Sequence, residues 1–584
     1  MRGADADQNL SSGPVPGQGI PKVETDRTRA LAALSAEPVD LLVIGGGITG
    51  AGIARDAALR GIRTALVDKM DFGAGTSSRS SRLIHGGLRY LERLEWGLVF
   101  EAAHERAVLR SIAPHLVRPL AFLFPVYRGG RIAPWTLRAG MWLYDLLGGR
   151  SARRHRWLRR KAVAQLEPRL RSRGIRGAAL YYDAQADDAR LVLATLRSAT
   201  AAGAKAISYA LVTGFTRAEG TVRGAVIRDM LDPKRREYSV AAAVVVNAAG
   251  PWVDAVRRLD DPGAVPLLRP TKGTHVLVRR ERLGNTHAVT FLSPVDGRVM
   301  FVLPAGDFSY IGTTDTDEPA DPDEVRASGA DAVYLLRSAN AMFPDARLSP
   351  RDILATWSGI RPLLAPADSH GASGLSASQV SREHRVLEAP SGLVTIAGGK
   401  LTTYRVMGRE VVDHVARRLR KMDGRPMASR PHTDRLPLPG GEAADLNVVT
   451  ANLRVRGIAD PHAEHLVRRY GSEGAAIASL VERDRALGEP IAPGRPELWA
   501  EVVHAVEREM AVRLSDVMIR RLHLFYEDAD QGRRVAPRIA ARMAQLLGWD
   551  ERRRAVEIED YEREIARGRA FLREVPRATP ESVS

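Results

Sequence analysis

Gly45, Gly47 and Gly50 stand in a G-x-G-x-x-G turn, and an acidic residue, Asp68, follows about 20 residues later. The first glycine permits a tight turn and the second lets backbone approach a pyrophosphate. The third lets a helix pack closely on a strand. A helix starting here aims unpaired N–H groups and its positive end at phosphate, while Asp68 is placed to accept a hydrogen bond from a ribose hydroxyl. A glycine turn without a ligand is the plain alternative. The apolar run before it, the helical pattern after it and the acid beyond argue for a dinucleotide. The spacing alone does not separate NAD from FAD.

A second cluster follows at residues 75–91. Thr76, Ser77, Ser78, Ser80 and Ser81 are interleaved with Arg79 and Arg82, and His85, Gly86, Gly87, Arg89 and Tyr90 come next. Hydroxyls and backbone N–H groups suit a diphosphate and a flavin edge, and arginines suit a phosphate-bearing substrate. Taken alone, the same residues also describe a solvated loop. Asp187 and Asp188 read as a helix cap rather than a catalytic pair. The histidines show no spacing that requires a metal, so none is expected.

The elements that must position these residues begin with a β-branched run at residues 39–44, the glycine turn, a helix to residue 60 and a second strand at 63–68. This is one right-handed βαβ unit. Residues 90–170 read as mostly helical, with breaks at Pro114, Pro119, Pro125, Pro134 and Pro168. A helix over 191–202 and strands near 206–213, 221–228 and 240–247 follow. Short strands at 274–278, 299–303 and 308–311 suggest a sheet inserted between the halves of the nucleotide-binding domain. A buried-type strand at 393–397 leads through Gly398 and Gly399 into a helix. Beyond a linker at 426–441 the chain reads as helical to about residue 574, including an amphipathic stretch at 511–522.

Length and composition set the frame. A chain of 584 residues calls for two or three domains, and its apolar content of 45% is enough for sizeable cores. The absence of cysteine excludes disulfides, thiol nucleophiles and thiolate metal sites. The net charge of +17 invites nucleic acid, an anionic membrane surface or an acidic substrate. No basic run is interleaved with aromatics as a single-strand binder needs, so no nucleic acid is expected, and a solvated basic surface ranks before membrane attraction. Residues 1–36 lack the apolar stretch of a secretion signal and read as a disordered tail. No run approaches the ~18 apolar residues of a spanning helix.

The block at 75–91 resembles the signature of the FAD-dependent glycerol-3-phosphate dehydrogenases, within the glycine/D-amino-acid oxidase-like flavoproteins. Residues 244–252, 271–275, 311–315, 358–363 and 397–405 resemble further blocks of that family in the expected order, and the similarity spans roughly 38–575. Arg82 departs from the pattern, in which relatives carry Lys.

The resemblance implies an α/β FAD-binding Rossmann-like domain with an inserted mixed-sheet substrate domain, together at 37–430. It implies an all-α C-terminal cap domain at 431–575 and a tail at 576–584. It implies FAD, held by Gly45, Gly47, Gly50, Asp68, Thr76, Ser77, Ser78, Arg82, Gly86, Gly87, Gly250, Gly399, Lys400, Leu401 and Thr402. Substrate contacts fall to Arg89, Tyr90, Thr314 and Arg361, and catalysis to His275, Arg361 and Lys400. His275 is the first choice of base because its ordinary pKa lies near neutrality, although a lone strand histidine is more often structural. The expected reaction is oxidation of sn-glycerol 3-phosphate to dihydroxyacetone phosphate by hydride transfer to flavin N5, with electrons passed to a quinone-type acceptor. An oxidase releasing hydrogen peroxide, an amine oxidase on the same scaffold and a basic binding protein without activity are the alternatives. A cytoplasmic protein, peripheral on the inner membrane face and able to pair as a homodimer, completes the expectation.

Overall fold

The computed structural model describes residues 27–86, 96–130, 134–147, 154–317, 321–365, 383–426 and 429–575. Gly87, Arg89 and Tyr90, the first part of the expected N-terminal tail and the tail after residue 575 lie outside them.

The strand Val39–Ile44 is buried along its whole length because it lies inside a sheet covered on both faces. Strand order in this sheet is His384–Glu388, Val394–Gly398, Glu237–Asn247, Val39–Ile44, Thr64–Val67 and Lys205–Ile207. Four of its pairings are parallel, as βαβ crossovers require. The hairpin Ala210–Ala218 and Thr221–Asp229 extends it through Glu237–Asn247. Helices Ile48–Leu59, Asp188–Ala201 and Tyr404–Asp423 pack together on it, sharing one apolar core with Leu41, Val43 and Val246. Asp187 caps the second of these helices by accepting from the Arg190 N–H at 3.1 Å, the role read from sequence.

The second sheet is larger than the short strands at 265–315 suggested. Its ten strands come from two excursions of the chain, Leu83–Ala186 and Leu268–Leu364, each leaving the first sheet and returning to it. Within the region expected to be mostly helical, Trp96–Ile112 and Pro134–Leu147 are helices, but Val117–Tyr127 is a long strand and Arg156–Arg159 a short one. Pro119 and Pro125 are tolerated there because the strand is flanked on both sides only at Phe122 and Leu123. A missing N–H costs no ladder bond where one side has no partner strand.

Residues 27–36, expected to belong to the tail, instead form the helix Arg27–Ala36. Leu31 and Leu34 are buried on the hairpin side of the first sheet, and Arg27 donates to Asp229 at 2.8 Å and to the Tyr209 carbonyl at 2.8 Å. Two leucines in an alanine-rich run are a weak periodic signal, and the ion pair is with a residue far along the chain.

The C-terminal part is helical, built from Leu446–Val455, His462–Tyr470, Gly474–Arg483, Trp499–Glu509, Ala536–Leu547 and Glu551–Gly568 among others. The stretch 511–522 is not a surface helix. It holds a π-helical turn, Asp516–Arg521, with Leu514, Val517, Met518 and Leu522 fully buried. Arg520 and Arg521 both pair with buried Asp71, in the loop after the second strand of the nucleotide unit. Its alternation of arginine and apolar residues therefore reports a paired buried charge, not a membrane face. Among the described residues no helix is long and apolar enough to cross a membrane.

Candidate functional site

One cleft of about 1880 Å³, counting solvent at its mouth, runs from the glycine turn to the wall formed by the second sheet. At the first end the turn needs its glycines for the reasons read from sequence. Gly45 has φ +110°, and a Cβ there would lie 2.5 Å from the Ala248 carbonyl oxygen. A Cβ on Gly50 would lie 1.9 Å from the Gly45 carbonyl oxygen, so Gly50 serves helix packing and does not face the cleft. Gly47 does face it, ahead of the helix Ile48–Leu59. Asp68 lines the cleft and accepts from Gly46 N at 2.6 Å and Met70 N at 2.8 Å, one bond per oxygen. Burial pushes its carboxyl up to about 6 in spite of these two donors.

The hydroxyl loop is tied largely to protein partners. Ser77 Oγ accepts from Ile48 N at 2.9 Å, so it satisfies an N–H at the start of the helix Ile48–Leu59. Thr76 Oγ donates to the Ile360 carbonyl, Ser80 Oγ donates to Asp188 at 2.7 Å, and Ser78 is buried. These bonds fix the loop between the glycine turn and the second sheet. Thr76, Ser77, Arg79, Ser80, Ser81, Leu83 and His85 line the cleft. Arg82 and Gly86 do not. Arg82 turns away to lie 3.7 Å from Asp188 and over Trp357, and the Gly86 N–H donates to Asp183.

Beside the turn, Gly250 and Trp252 follow the strand Glu237–Asn247, and Gly399–Thr402 follow Val394–Gly398. Gly398 and Gly399 have φ +82° and +90°, which lets the chain reverse into Lys400 and a helical start at Leu401. A second helix N-terminus thus opens into the same cleft. The buried Trp252 Nε1 lines it with no hydrogen-bond partner among the described residues.

The far wall is made by paired strands Leu268–Arg279 and Ile353–Leu364. His275 lies between Trp357, stacked at 5.2 Å, and Gly312, where a Cβ would come 2.0 Å from the imidazole Cδ2. Its Nε2 shares a hydrogen bond with Ser81 Oγ at 2.9 Å, and its buried Nδ1 has no partner among the described residues. Arg361 crosses over Gly273 and donates to Asp315 at 2.9 Å, Thr313 Oγ at 3.0 Å and the Thr314 carbonyl at 3.1 Å. Thr314 Oγ accepts from Thr274 N at 2.9 Å, so that hydroxyl fixes the strand edge and does not line the cleft.

His275 does not keep the near-neutral pKa expected of it. Burial, then Arg361, then Arg82 push it down to about 3, so the free protein holds a neutral imidazole throughout the physiological range. The sequence gives Ser81 and Asp315 no role of their own, although both stand inside the blocks read there, and it does not point to Trp357. Their roles depend on pairings between distant strands. Arg79, which the sequence gives no individual role, also lines the cleft.

Comparison with known proteins agrees along nearly the whole chain. Residues 40–414 match the family of FAD dependent oxidoreductases, and 431–554 match the C-terminal domain of alpha-glycerophosphate oxidase. The aerobic glycerol-3-phosphate dehydrogenase of Bacillus subtilis is 35% identical over 90% of this chain and 94% of its own. The glycerol-3-phosphate dehydrogenase of Synechocystis is 38% identical over 89% and 95%. The structure of the glycerol-3-phosphate dehydrogenase from Bacillus halodurans complexed with FAD superposes with a TM-score of 0.77 and 31% identity, covering 94% of this chain and 98% of that one.

Proposed function

The chain belongs to the FAD dependent oxidoreductase family, and on that premise we propose that it oxidises sn-glycerol 3-phosphate to dihydroxyacetone phosphate and passes the electrons to a quinone. The observation that carries the reading is the single cleft joining a dinucleotide turn to a wall bearing Arg361 and His275.

The residues present fit FAD. The turn at Gly45 and Gly47 with the helix start at Ile48 would hold the pyrophosphate, and Asp68 the ribose. Gly399, Lys400, Leu401 and Thr402 would meet the electron-rich edge of the flavin with N–H groups and a cation. FAD, when bound, supplies a two-electron acceptor for hydride.

The chain's own tasks are to hold the phosphate, orient the carbinol and take its proton. Arg361, held by Asp315, presents positive charge where the alkoxide develops. Arg89 and Tyr90, outside the described residues, are the further substrate contacts that the family resemblance implies. His275 takes the hydroxyl proton. Its low pKa belongs to the free protein, where Arg361 and Arg82 oppose a charged ring, and an anionic substrate bound in the cleft offsets those charges and favours the protonated ring. Lys400 adds charge at the reacting end.

Electron delivery to a quinone needs a lipid surface. The helix Pro134–Leu147 turns Leu137 and Met141 inward and leaves Trp135 73% and Trp142 66% exposed, seven residues apart on one side. Arg138 is exposed on the same helix, and Phe100 is exposed on the adjoining helix Trp96–Ile112. Aromatics beside an arginine suit the headgroup region of an anionic bilayer, which supports a peripheral position on the cytoplasmic face.

Anaerobic mixing of purified holoenzyme with sn-glycerol 3-phosphate tests the reading. Rapid flavin bleaching is expected, followed by reoxidation faster with a quinone analogue than with air. Intact FAD that does not bleach would overturn the substrate, and preference for air would make the protein an oxidase.

A further inference from the structure

Behind His275 stands a stack of side chains that the chemistry above does not use. The imidazole and the Trp357 indole lie 5.2 Å apart with planes 14° from parallel. The Arg82 guanidinium sits 4.9 Å from the Trp357 ring centre and 5.3 Å from that of Tyr526. Tyr526 comes from the C-terminal part, in the short helix Leu524–Glu527, and meets Trp357 edge-on at 5.5 Å. Trp357 and Tyr526 are both buried.

The loop that carries Arg82 is fastened to the same group. Trp357 Nε1 donates to the Ser80 carbonyl at 3.0 Å, and Tyr310 Oη donates to the Ser81 carbonyl at 3.1 Å. Ser81 Oγ bonds His275 Nε2, and the next residue, Arg82, has φ +51°. A left-handed arginine is uncommon and persists only where its surroundings hold it. Here that backbone leaves Ser81 on the imidazole and the Arg82 guanidinium over the Trp357 ring. Asp188 stands 3.7 Å from Arg82 Nε.

We infer that Trp357, Arg82 and Tyr526 are positioning residues for His275, so that the C-terminal domain completes the catalytic wall without touching substrate. The inference rests on the reading of His275 as proton acceptor. The charged and titratable groups facing His275 are Arg361 from the neighbouring strand, Arg82 from the loop and Tyr310 from Phe308–Gly312. Asp315 and Asp188 stand behind the two arginines. Truncating the stack frees the ring to rotate away from Ser81 while Arg361 and the glycine turn keep their places.

The test is anaerobic flavin bleaching by sn-glycerol 3-phosphate in holoenzyme variants. Tyr526→Leu should slow bleaching at saturating substrate about tenfold, with half-saturation within about twofold and flavin content unchanged. Tyr526→Phe keeps the ring and should restore the rate to within about twofold. Arg82→Lys keeps the charge without the flat face and should slow bleaching about threefold or more. Because all act through one imidazole, His275→Asn combined with Tyr526→Leu should be no slower than His275→Asn alone. Unchanged rates in Tyr526→Leu and Arg82→Lys, or losses that multiply in the double variant, would overturn the inference. If His275→Asn itself bleaches at the original rate, the assignment of the base has failed. A slow His275→Asn beside unaffected stack variants removes only the role of the stack.

Discussion

Arg361 and Asp315 meet in the far wall of the cleft, Nη1 donating to Oδ1 at 2.9 Å, with the carboxylate almost fully buried. A second nitrogen of the same guanidinium donates to Thr313 Oγ and to the Thr314 carbonyl. The arginine is therefore held in one orientation over Gly273 before any substrate arrives, which is what stabilisation of a developing alkoxide requires. Replacing Arg361 with Ala should lower the rate of flavin reduction about 100- to 1000-fold with flavin content unchanged. Asp315→Asn keeps the cation and loses its orientation, so a smaller loss of about tenfold is expected. Equal loss of flavin and turnover in Arg361→Ala would show that the residue serves the cofactor instead.

The glycine turn separates packing from binding. Gly50→Ala forces a Cβ to 1.9 Å from a carbonyl oxygen, so the thermal midpoint should fall and flavin should be lost with it. Gly47→Ala meets only the Ser77 hydroxyl, at 3.1 Å, and its Cβ stands where backbone should approach a pyrophosphate. Flavin affinity should then weaken while the flavin-free protein melts near the original temperature. Calorimetry with and without added FAD distinguishes the two variants.

Buried histidines make stability depend on pH. Burial is the main reason that His115 is pushed down to about 3 and His504 to about 4. Between pH 6.5 and those values the unfolded chain binds protons that the folded chain refuses. Stability from these groups is therefore present above pH 6.5 and is lost as pH falls. Each contributes about 2 kcal/mol of loss between pH 6.5 and 4.5. Asp68, raised to about 6, works in the opposite direction over part of that range. Urea unfolding of the original protein and of His504→Gln should show a shallower pH slope in the variant, and equal slopes would refute the assignment.

The C-terminal domain is docked through a buried charge cluster. Asp71 accepts from Arg520 and Arg521, Arg520 also pairs with Asp516 at 3.0 Å, and Tyr209 Oη donates to Asp516 at 2.6 Å. Asp71→Asn leaves two buried arginines short of a counter-charge and should cost about 3–5 kcal/mol. The loss should appear in urea unfolding, together with faster proteolytic cleavage in the linker near residue 430.

What the sequence made legible was chemistry decided locally. Each glycine of the turn meets a steric demand from residues a few positions away or from the adjoining strand, so its type is informative by itself. Asp187 as a cap is equally local. The strand Val117–Tyr127 was hidden by prolines whose tolerance depends on which side of the strand has a partner. The turn Asp516–Arg521 looked amphipathic because the carboxylate neutralising its arginines lies far away in the chain. His275 was legible as a candidate, but its neutral state comes from burial and from two arginines on other elements. Its stack with Trp357 and Tyr526 is likewise a tertiary fact with no periodic trace.

The exposed tryptophans give the last prediction. Trp135 and Trp142 make the outward side of Pro134–Leu147 apolar, while Leu137 and Met141 anchor the helix to the protein by its other side. Replacing both tryptophans with Ser should therefore leave folding and soluble flavin reduction intact. Sedimentation with vesicles of phosphatidylglycerol should drop severalfold, and reduction of a vesicle-borne quinone analogue should drop with it. Raising salt should release the original protein only in part, because the aromatic contribution is not screened. Complete release by modest salt in both proteins would mean that the basic surface alone holds the membrane and that the tryptophans do not.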